Sequence, residues 1–424
     1  MARLDKNGRE IRRQKGDGGL FQRADGMWIG RVELPAGPDG ERRRKTVSSK
    51  EYDVAAAALR KLRSDVDSGK IAVTSATTLE KWLDRWINEI HAHKVRPTTL
   101  DDYRRTIKNH IVPAIGGKRL DKLTPQHVRD MHRKIGPSRT CELAHVVLQK
   151  ALKDAVRERM LTVNVAELVD RPRYKRAKRT SLSVDVAKHV LRTAIDTRTD
   201  GEATRWIAAF LTGARQGELL GLRWSHVDLE HGVMDISWQL QQLSQVHGCG
   251  DPDADGAYPC RRKRPGWCPD RRWDLPPDFD HEICHRSLLW TRPKSEAGGR
   301  EIPIITPLLG PLRAMHKRQG INPHDLVWHY PDGRPIRPRA DYGNWKSLLT
   351  AAGVLAPGET MPLHVARHTA ATMLRAAGVD EQTRMEILGH ATVDSQRVYA
   401  HADRARHLTA MDSLAELLAA DADD

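Results

Sequence analysis

The sequence predicts an α+β multidomain fold: a small three-stranded sheet with one helix, an all-α helical bundle, and a mainly α domain with a small β-hairpin sheet. Three observations lead there. At 424 residues the chain is too long for one ordinary core, so two or three domains are expected. Residues 19–48 alternate apolar and polar, with turn signals between the runs, which is the period of strands. From residue 77 onward apolar residues recur at helical spacing with few interruptions. Breaks in these patterns set the expected boundaries: a first module over 1–72, a helical domain over 77–172, a basic linker over 173–180, and a last domain over 181–424 with a cysteine-bearing insertion at about 245–288.

In the first module, "GLFQR", "MWIGRVEL" and "RRRKTVS" read as three strands, separated by Asp25-Gly26 and by "PAGPDG". "EYDVAAAALRKLRSDVDSG" then reads as a helix that stops at Gly69. Arg42, Arg43, Arg44 and Lys45 fall on successive positions of the third strand, so at least two must point away from the helix. In the second domain Thr77 and Glu80 make a capping-box pattern, and Leu79, Trp82, Leu83, Trp86 and Ile90 form one apolar stripe, read as core. Further helices follow in "RPTTLDDYRRTIKNHIVPAIG", in "LTPQHVRDMHRKIG" with Thr124 as N-cap and Pro125 at N1, and in "TCELAHVVLQKALKDAVRERML". Arg171, at the end of the helical domain, and Arg173, Lys175, Arg176, Lys178 and Arg179 in the linker form a basic run with no apolar periodicity. The last domain is helical except for "RSLLWTRPKSEAGGREIPII", a strand-turn-strand element with Gly298-Gly299 at its tip. Its final helix places Leu408, Met411, Leu414 and Leu418 on one face, ready for a neighbouring protomer or for its own domain.

Seventy Lys and Arg against 55 Asp and Glu leave a formal charge of +15, which calls for a polyanionic partner, double-stranded DNA above all. No run of about 18 apolar residues and no apolar leader are present, so a membrane is not expected and a cytoplasmic location is. Five cysteines are too few for a disulfide scaffold.

Singly, the chemistry-bearing residues of the last domain are unremarkable types at ordinary positions. Arg215 lies in "LTGARQGELLGLRW", Lys294 in "RPKSEAGGREIPI", His364 and Arg367 in "LHVARHTAATML", His390 in "LGH", and Tyr399 nine residues beyond it. Taken together and in this order they resemble the catalytic set of the tyrosine recombinase, or phage integrase, family. The resemblance extends to the whole layout of a large three-domain integrase, with the helical bundle similar to its core-binding domain and the first module to its arm-binding domain. It implies a site-specific recombinase that cleaves and rejoins DNA through a 3′-phosphotyrosyl intermediate, integrating or excising a mobile element. It further implies a homotetramer on two DNA sites, with an accessory DNA-bending protein or directionality factor as a possible partner. Type IB topoisomerase-like or resolvase activity, and a catalytically silent DNA-binding regulator, are the alternatives.

The chemistry explains the residue types. Attack on a phosphodiester builds charge on non-bridging oxygens, which two guanidiniums can clamp, a role for Arg215 and Arg367. A tyrosine near pKa 10 needs a proton acceptor, and His364 shares a helix face with Arg367. Lys294 is the expected general acid for the leaving 5′-oxygen, His390 a hydrogen-bond donor to the phosphate, and Glu218 a supporting residue. No cofactor is required, because the phosphodiester energy is kept in the tyrosyl link. His364 and His368 at i and i+4 would suit a metal, but "HVARH" lacks the glutamate of H-E-x-x-H and sets a guanidinium between the ligands. Basic residues Arg42 to Lys45 and those of the run from Arg171 to Arg179 are the expected DNA contacts.

One segment stands apart. Cys249, Cys260, Cys268 and Cys284 crowd a Pro- and Gly-rich insertion, with His247, His281 and His285 nearby. A structural Zn²⁺ on the four cysteines would hold such a loop. The spacings, with 10, 7 and 15 residues between successive cysteines, lack a C-x₂-C pair, so free thiols or a disulfide are equally open. The loop also carries Arg261, Arg262, Lys263, Arg264, Arg271 and Arg272.

Overall fold

The computed structural model describes residues 19–34, 43–67, 77–174, 181–293, 299–318, 320–389 and 404–419. The chain divides into two compact units, Met1–Arg176 and Ala177–Asp424.

In the first unit, β1 (Leu20–Gln22), β2 (Trp28–Leu34) and β3 (Arg43–Ser49) form an antiparallel sheet in that order. Helix α1 (Tyr52–Asp67) covers one face, where Val32, Leu59 and Leu62 are buried with Val47 against them. The period of two decides the other face. Val47 points to the helix, so Arg44 points away, where it pairs with Glu33 at 3.2 Å on the neighbouring strand.

The same unit holds the helical bundle. It comprises α2 (Leu79–Arg85), running on into a wider turn over Trp86–Ile90, α3 (Pro97–Thr106), continued by a second wide segment over Ile107–Gly116, α4 (Pro125–Ile135) and α5 (Arg139–Arg157). Pro113 sits inside that second segment and cannot donate a backbone hydrogen bond, which suits the departure from α geometry. Leu79, Trp82, Leu83 and Trp86 are all buried and Ile90 partly so, as the apolar stripe predicts. The two buried indoles are satisfied: Trp82 Nε1 donates to the Ala151 carbonyl at 3.1 Å and Trp86 Nε1 to Asp154 at 2.9 Å. Thr124 caps α4 as expected. At α2 the cap lies one residue later than the pattern suggests: Thr78, not Thr77, accepts from the Lys81 N–H, while the Thr77 carbonyl accepts from Leu120.

The second unit is built around α7 (Asp200–Thr212), in which every residue from Ala203 to Thr212 is buried. A helix covered on all sides belongs at the centre of a domain. Packed about it are α6 (Val184–Thr197), α9 (Thr306–Arg318) and α11 (His364–Ala376), with α10 (Pro338–Ala351) against α6. Short α8 (Gln216–Leu220) follows α7 after a sharp turn, and α12 (Glu381–Leu388) follows α11. The strands form three small sheets. In the first, β4 (Val227–Asp228), β5 (Val233–Asp235) and β11 (Glu301–Pro303) pair in the order β11-β5-β4. In the second, β6 (Gln239–Gln242), β9 (His281–His285) and β10 (Leu288–Thr291) pair as β6-β10-β9. The third joins β7 (Gln245–Val246) to β8 (Arg272–Trp273) within the insertion.

One expectation changes here, and one alternative left open by the sequence is decided. The strands flanking Lys294 are both present, but β10 pairs with β6 and β9 while β11 pairs with β5, so they belong to different sheets and not to one hairpin. The last helix, α13 (Arg404–Ala419), lays Met411 and Leu414 into the core of its own domain, with Leu418 partly buried beside them; Leu408 alone of that face is exposed. Among the described residues no helix is long and apolar enough to cross a membrane.

Candidate active site

The turn between α7 and α8 starts the site. Gly213 ends α7 with φ +59°, and a Cβ there would lie 2.4 Å from Leu388 Cδ2. Glycine is therefore required twice over, by conformation and by space. Arg215 is the N-cap of α8, and Glu218 reaches back to it. The Glu218 carboxylate accepts from the Arg215 backbone N–H at 2.8 Å and from its Nη1 at 2.7 Å. A second guanidinium, Arg300, donates Nη2 to the other side of the same carboxylate at 3.1 Å and Nε to the Ile387 carbonyl at 2.7 Å. The third, Arg367 on α11, donates to the carbonyls of Gly213, at 2.8 Å, and of Leu388. Arg215 Nη2 also reaches the Gly389 carbonyl at 3.4 Å. The carbonyl ends of α7 and α12, the negative poles of those helices, thus orient the cations.

Three guanidiniums against one carboxylate leave a local excess of two positive charges. Glu218 is 1% exposed, Arg367 3%, and the Arg215 side chain 39%. Burial works against ionisation of Glu218, but Arg300 and the Arg215 donors outweigh it and hold the carboxyl below its usual range. Burial, with Arg215 and Arg300 adding repulsion and Glu218 opposing, pulls Arg367 down to about 9. Arg300 is lowered mainly by burial. A cleft of about 500 Å³ opens beside these groups, lined by Arg215, Gln216, Tyr342, Leu363, His364 and Arg367. His364 is the first residue of α11, exposed, with its ring edge-on to His368 at 4.8 Å.

The structure therefore brings Arg215, Glu218, His364 and Arg367 to one place. Lys294, His390 and Tyr399 lie outside the described residues. Trp290 on β10, four residues before Lys294, donates its indole N–H to the Gly221 carbonyl at 2.9 Å, tying that strand to the end of α8. Sequence reasoning missed Arg300; its only signal was a cation directly before the apolar "EIPII". It also missed a brace behind the site. Buried Arg205 pairs with buried Asp341 at 3.0 Å, and Asp341 accepts from Gln216 at 2.9 Å, next to Arg215.

Of the expected DNA contacts, Arg44 and Lys45 are exposed on β3, Arg43 lies on the same strand, and Arg42 lies outside the described residues. Arg171 and Arg173 are exposed, Arg171 being held by Glu142 at 2.5 Å. Lys175, Arg176, Lys178 and Arg179 lie outside the described residues.

In the insertion, His247, Cys249, Cys260 and Cys268 converge, and their donor atoms could hold a metal ion. Cys284 does not join them, contrary to the four-cysteine expectation. It lies on β9 and faces the domain core, where burial, with Arg223 opposing, pushes its thiol up to about 12. His281 and His285 are also elsewhere: His281 contacts the Phe279 carbonyl and the His285 ring meets His324. None of the five cysteines, all among the described residues, forms a disulfide.

Comparison with known proteins adds an independent line. Residues 78–135 match the profile described as "Phage integrase, N-terminal SAM-like domain", and residues 287–406 the profile "Phage integrase family". An integrase of Saccharopolyspora erythraea is 28% identical over 420 residues, covering 93% of this chain and 94% of that protein. The fold is similar to that of the Tn1549 transposon integrase bound to a circular intermediate DNA, with a TM-score of 0.56 and 18% identity over 80% of this chain and 99% of the other. It is also similar to a lambda integrase tetramer bound to a Holliday junction, with a TM-score of 0.52 and 15% identity over 90% of this chain and 98% of the other.

Proposed function

The chain belongs to the phage integrase family of tyrosine recombinases and is a site-specific recombinase that binds DNA, and from that premise we propose how its own residues carry the reaction. The observation that carries the reading is an excess of guanidinium over carboxylate, with Arg215 and Arg367 lining one cleft and Arg300 and Glu218 paired behind Arg215. Such a cleft is built for an anion with several oxygens, a DNA phosphate. Arg215 and Arg367 hold the non-bridging oxygens, whose charge grows in the transition state. Arg300 does not itself need to touch the phosphate; with Glu218 it positions Arg215.

Tyr399 attacks phosphorus. A bond forms between its phenolic oxygen and phosphorus, and the bond from phosphorus to the 5′-oxygen breaks. The phenolic proton passes to His364, at the rim of the cleft, and Lys294 protonates the departing 5′-oxygen, while His390 donates to the phosphate. Reversal by a different 5′-hydroxyl rejoins the strands. Charge stabilisation and proton transfer are both supplied by side chains, so the step calls on no metal and no cofactor. Arg44 and Lys45, with the basic linker, contact the DNA backbone, and the protein assembles as a homotetramer on two sites, as lambda integrase does on a Holliday junction.

A duplex nicked close to the cleavage point tests this. The short fragment diffuses away after cleavage, so wild-type protein should accumulate a covalent 3′-phosphotyrosyl adduct and Tyr399→Phe should not. An adduct with Tyr399→Phe would remove that residue as the nucleophile. Arg215→Ala should weaken transition-state stabilisation by about 2.7–4 kcal/mol, the usual effect of losing one oxyanion donor.

A further inference from the structure

We propose that the insertion between β6 and β9 is a structural zinc site, with Zn²⁺ held by His247, Cys249, Cys260 and Cys268. The four donor atoms all lie within 4.8 Å of one another. Cys260 Sγ is 3.4 Å and Cys249 Sγ 3.9 Å from His247 Nδ1. Tetrahedral zinc, with bonds of about 2.3 Å to sulfur and about 2.0 Å to nitrogen, sets sulfur and nitrogen ligands roughly 3.5 Å apart and two sulfurs roughly 3.8 Å apart. The observed sulfur-to-nitrogen separations lie on either side of the first value. Three thiolates and one imidazole are a donor set that selects zinc among the common ions.

Two further observations agree. First, the insertion has no core of its own: from 244 to 283 the one buried residue is Cys268, and Trp267 and Ile283 are more than 60% exposed. A segment of that length with so little apolar burial needs another source of folding free energy, and metal coordination supplies it. Second, the backbone is closed tightly around the ligands. A Cβ at Gly248, between His247 and Cys249, would come within 1.9 Å of the Asp270 carbonyl oxygen, so the loop bearing Cys268 folds directly onto the turn bearing the first two ligands. The His247 ring is stacked on Tyr258 at 3.7 Å and 10°, which fixes its plane. The pattern is therefore H-x-C followed by two single cysteines, and not the paired C-x₂-C that a sequence scan looks for. Closing the loop at these points holds Arg261, Arg262, Lys263 and Arg264 together on the surface, all exposed, in the domain that carries the active site.

The test is zinc content, with a readout independent of DNA cleavage. Protein purified under reducing conditions, supplied with Zn²⁺ and then dialysed against metal-free buffer, should retain a single zinc per chain. Cys260→Ser and Cys268→Ser should each lose it, and Cys284→Ala should keep it. Because a serine variant could misfold, wild-type protein is also loaded with Co²⁺ alone. The visible spectrum should be that of tetrahedral thiolate coordination, and chelation should speed trypsin cleavage between Arg261 and Arg264. Substoichiometric zinc in the wild type, octahedral cobalt, zinc retained in both serine variants, or a disulfide among Cys249, Cys260 and Cys268 in protein isolated under thiol-blocking conditions would each overturn the proposal.

Discussion

The Arg367 guanidinium is buried, and its Nε has no hydrogen-bond partner among the described residues. A guanidinium stays charged at neutral pH, so the pull toward about 9 is a destabilisation that the fold carries until an oxyanion arrives. A short DNA duplex should then stabilise the wild type by about 2.7 kcal/mol at a hundredfold excess over Kd, read as a rise in melting temperature. At the same duplex concentration Arg367→Ala should show a much smaller gain, because losing that guanidinium weakens Kd, measured by thermal unfolding with and without duplex. Glu218 works in the opposite sense. Its folded pKa is depressed, because Arg300 and Arg215 outweigh burial. The stability it contributes is present above the ordinary carboxyl range near 4.3 and is lost as pH falls through the lower folded value. Glu218→Gln should flatten that acid limb in urea titrations between about pH 5 and 3, and should also lower cleavage, since Arg215 loses its partner.

At the scale of elements, two devices set the cations. One is the turn after α7. Gly213→Ala would place a methyl against Leu388 at a left-handed φ and push away the carbonyl that Arg367 uses. The expected outcome is a loss of about 1–3 kcal/mol in stability, with a fall in cleavage rate that persists when the variant is measured well below its unfolding midpoint. The other is the brace from α7 to α10. Asp341→Asn leaves Arg205 buried without a counter-charge, a change that typically lowers stability by about 3–5 kcal/mol; equilibrium unfolding of the variant measures it. The strands around Lys294 show why patterns can mislead at this scale. "LLWT" and "EIPII" have correct strand character, but which strands pair depends on residues 233–242, distant in sequence from both.

At the scale of the whole molecule, each of the two units has its own buried core. The segment 177–424 expressed alone should therefore unfold cooperatively and still form the adduct on nicked DNA, with weaker binding than the full chain. A broad, non-cooperative melt would show that the division is not one of folding units. Because α13 fills the core with Met411 and Leu414, deletion of 404–424 should destabilise that same segment by several kcal/mol, about 2–5 for each such side chain removed. The charge of +15 predicts DNA affinity that falls steeply with salt, the logarithm of the binding constant being linear in the logarithm of salt concentration, as a filter-binding series from 50 to 200 mM would show.

How much was legible beforehand follows from what each kind of signal depends on. Strand alternation in the first module, the apolar stripe of α2 and the Thr124 cap are local, set by residues within a turn or two of one another, and the sequence alone determined them. The same holds for the motif set that led to Arg215, His364 and Arg367, since residue type and order survive in one dimension. Arg300, the Asp341 brace, the side on which α13 packs and the choice of His247 over Cys284 were decided only by tertiary structure. Each depends on distance between segments far apart in the chain. A guanidinium becomes part of a phosphate site, and a histidine a metal ligand, through what the fold sets within 4 Å of it. Composition and spacing carry no record of that neighbour.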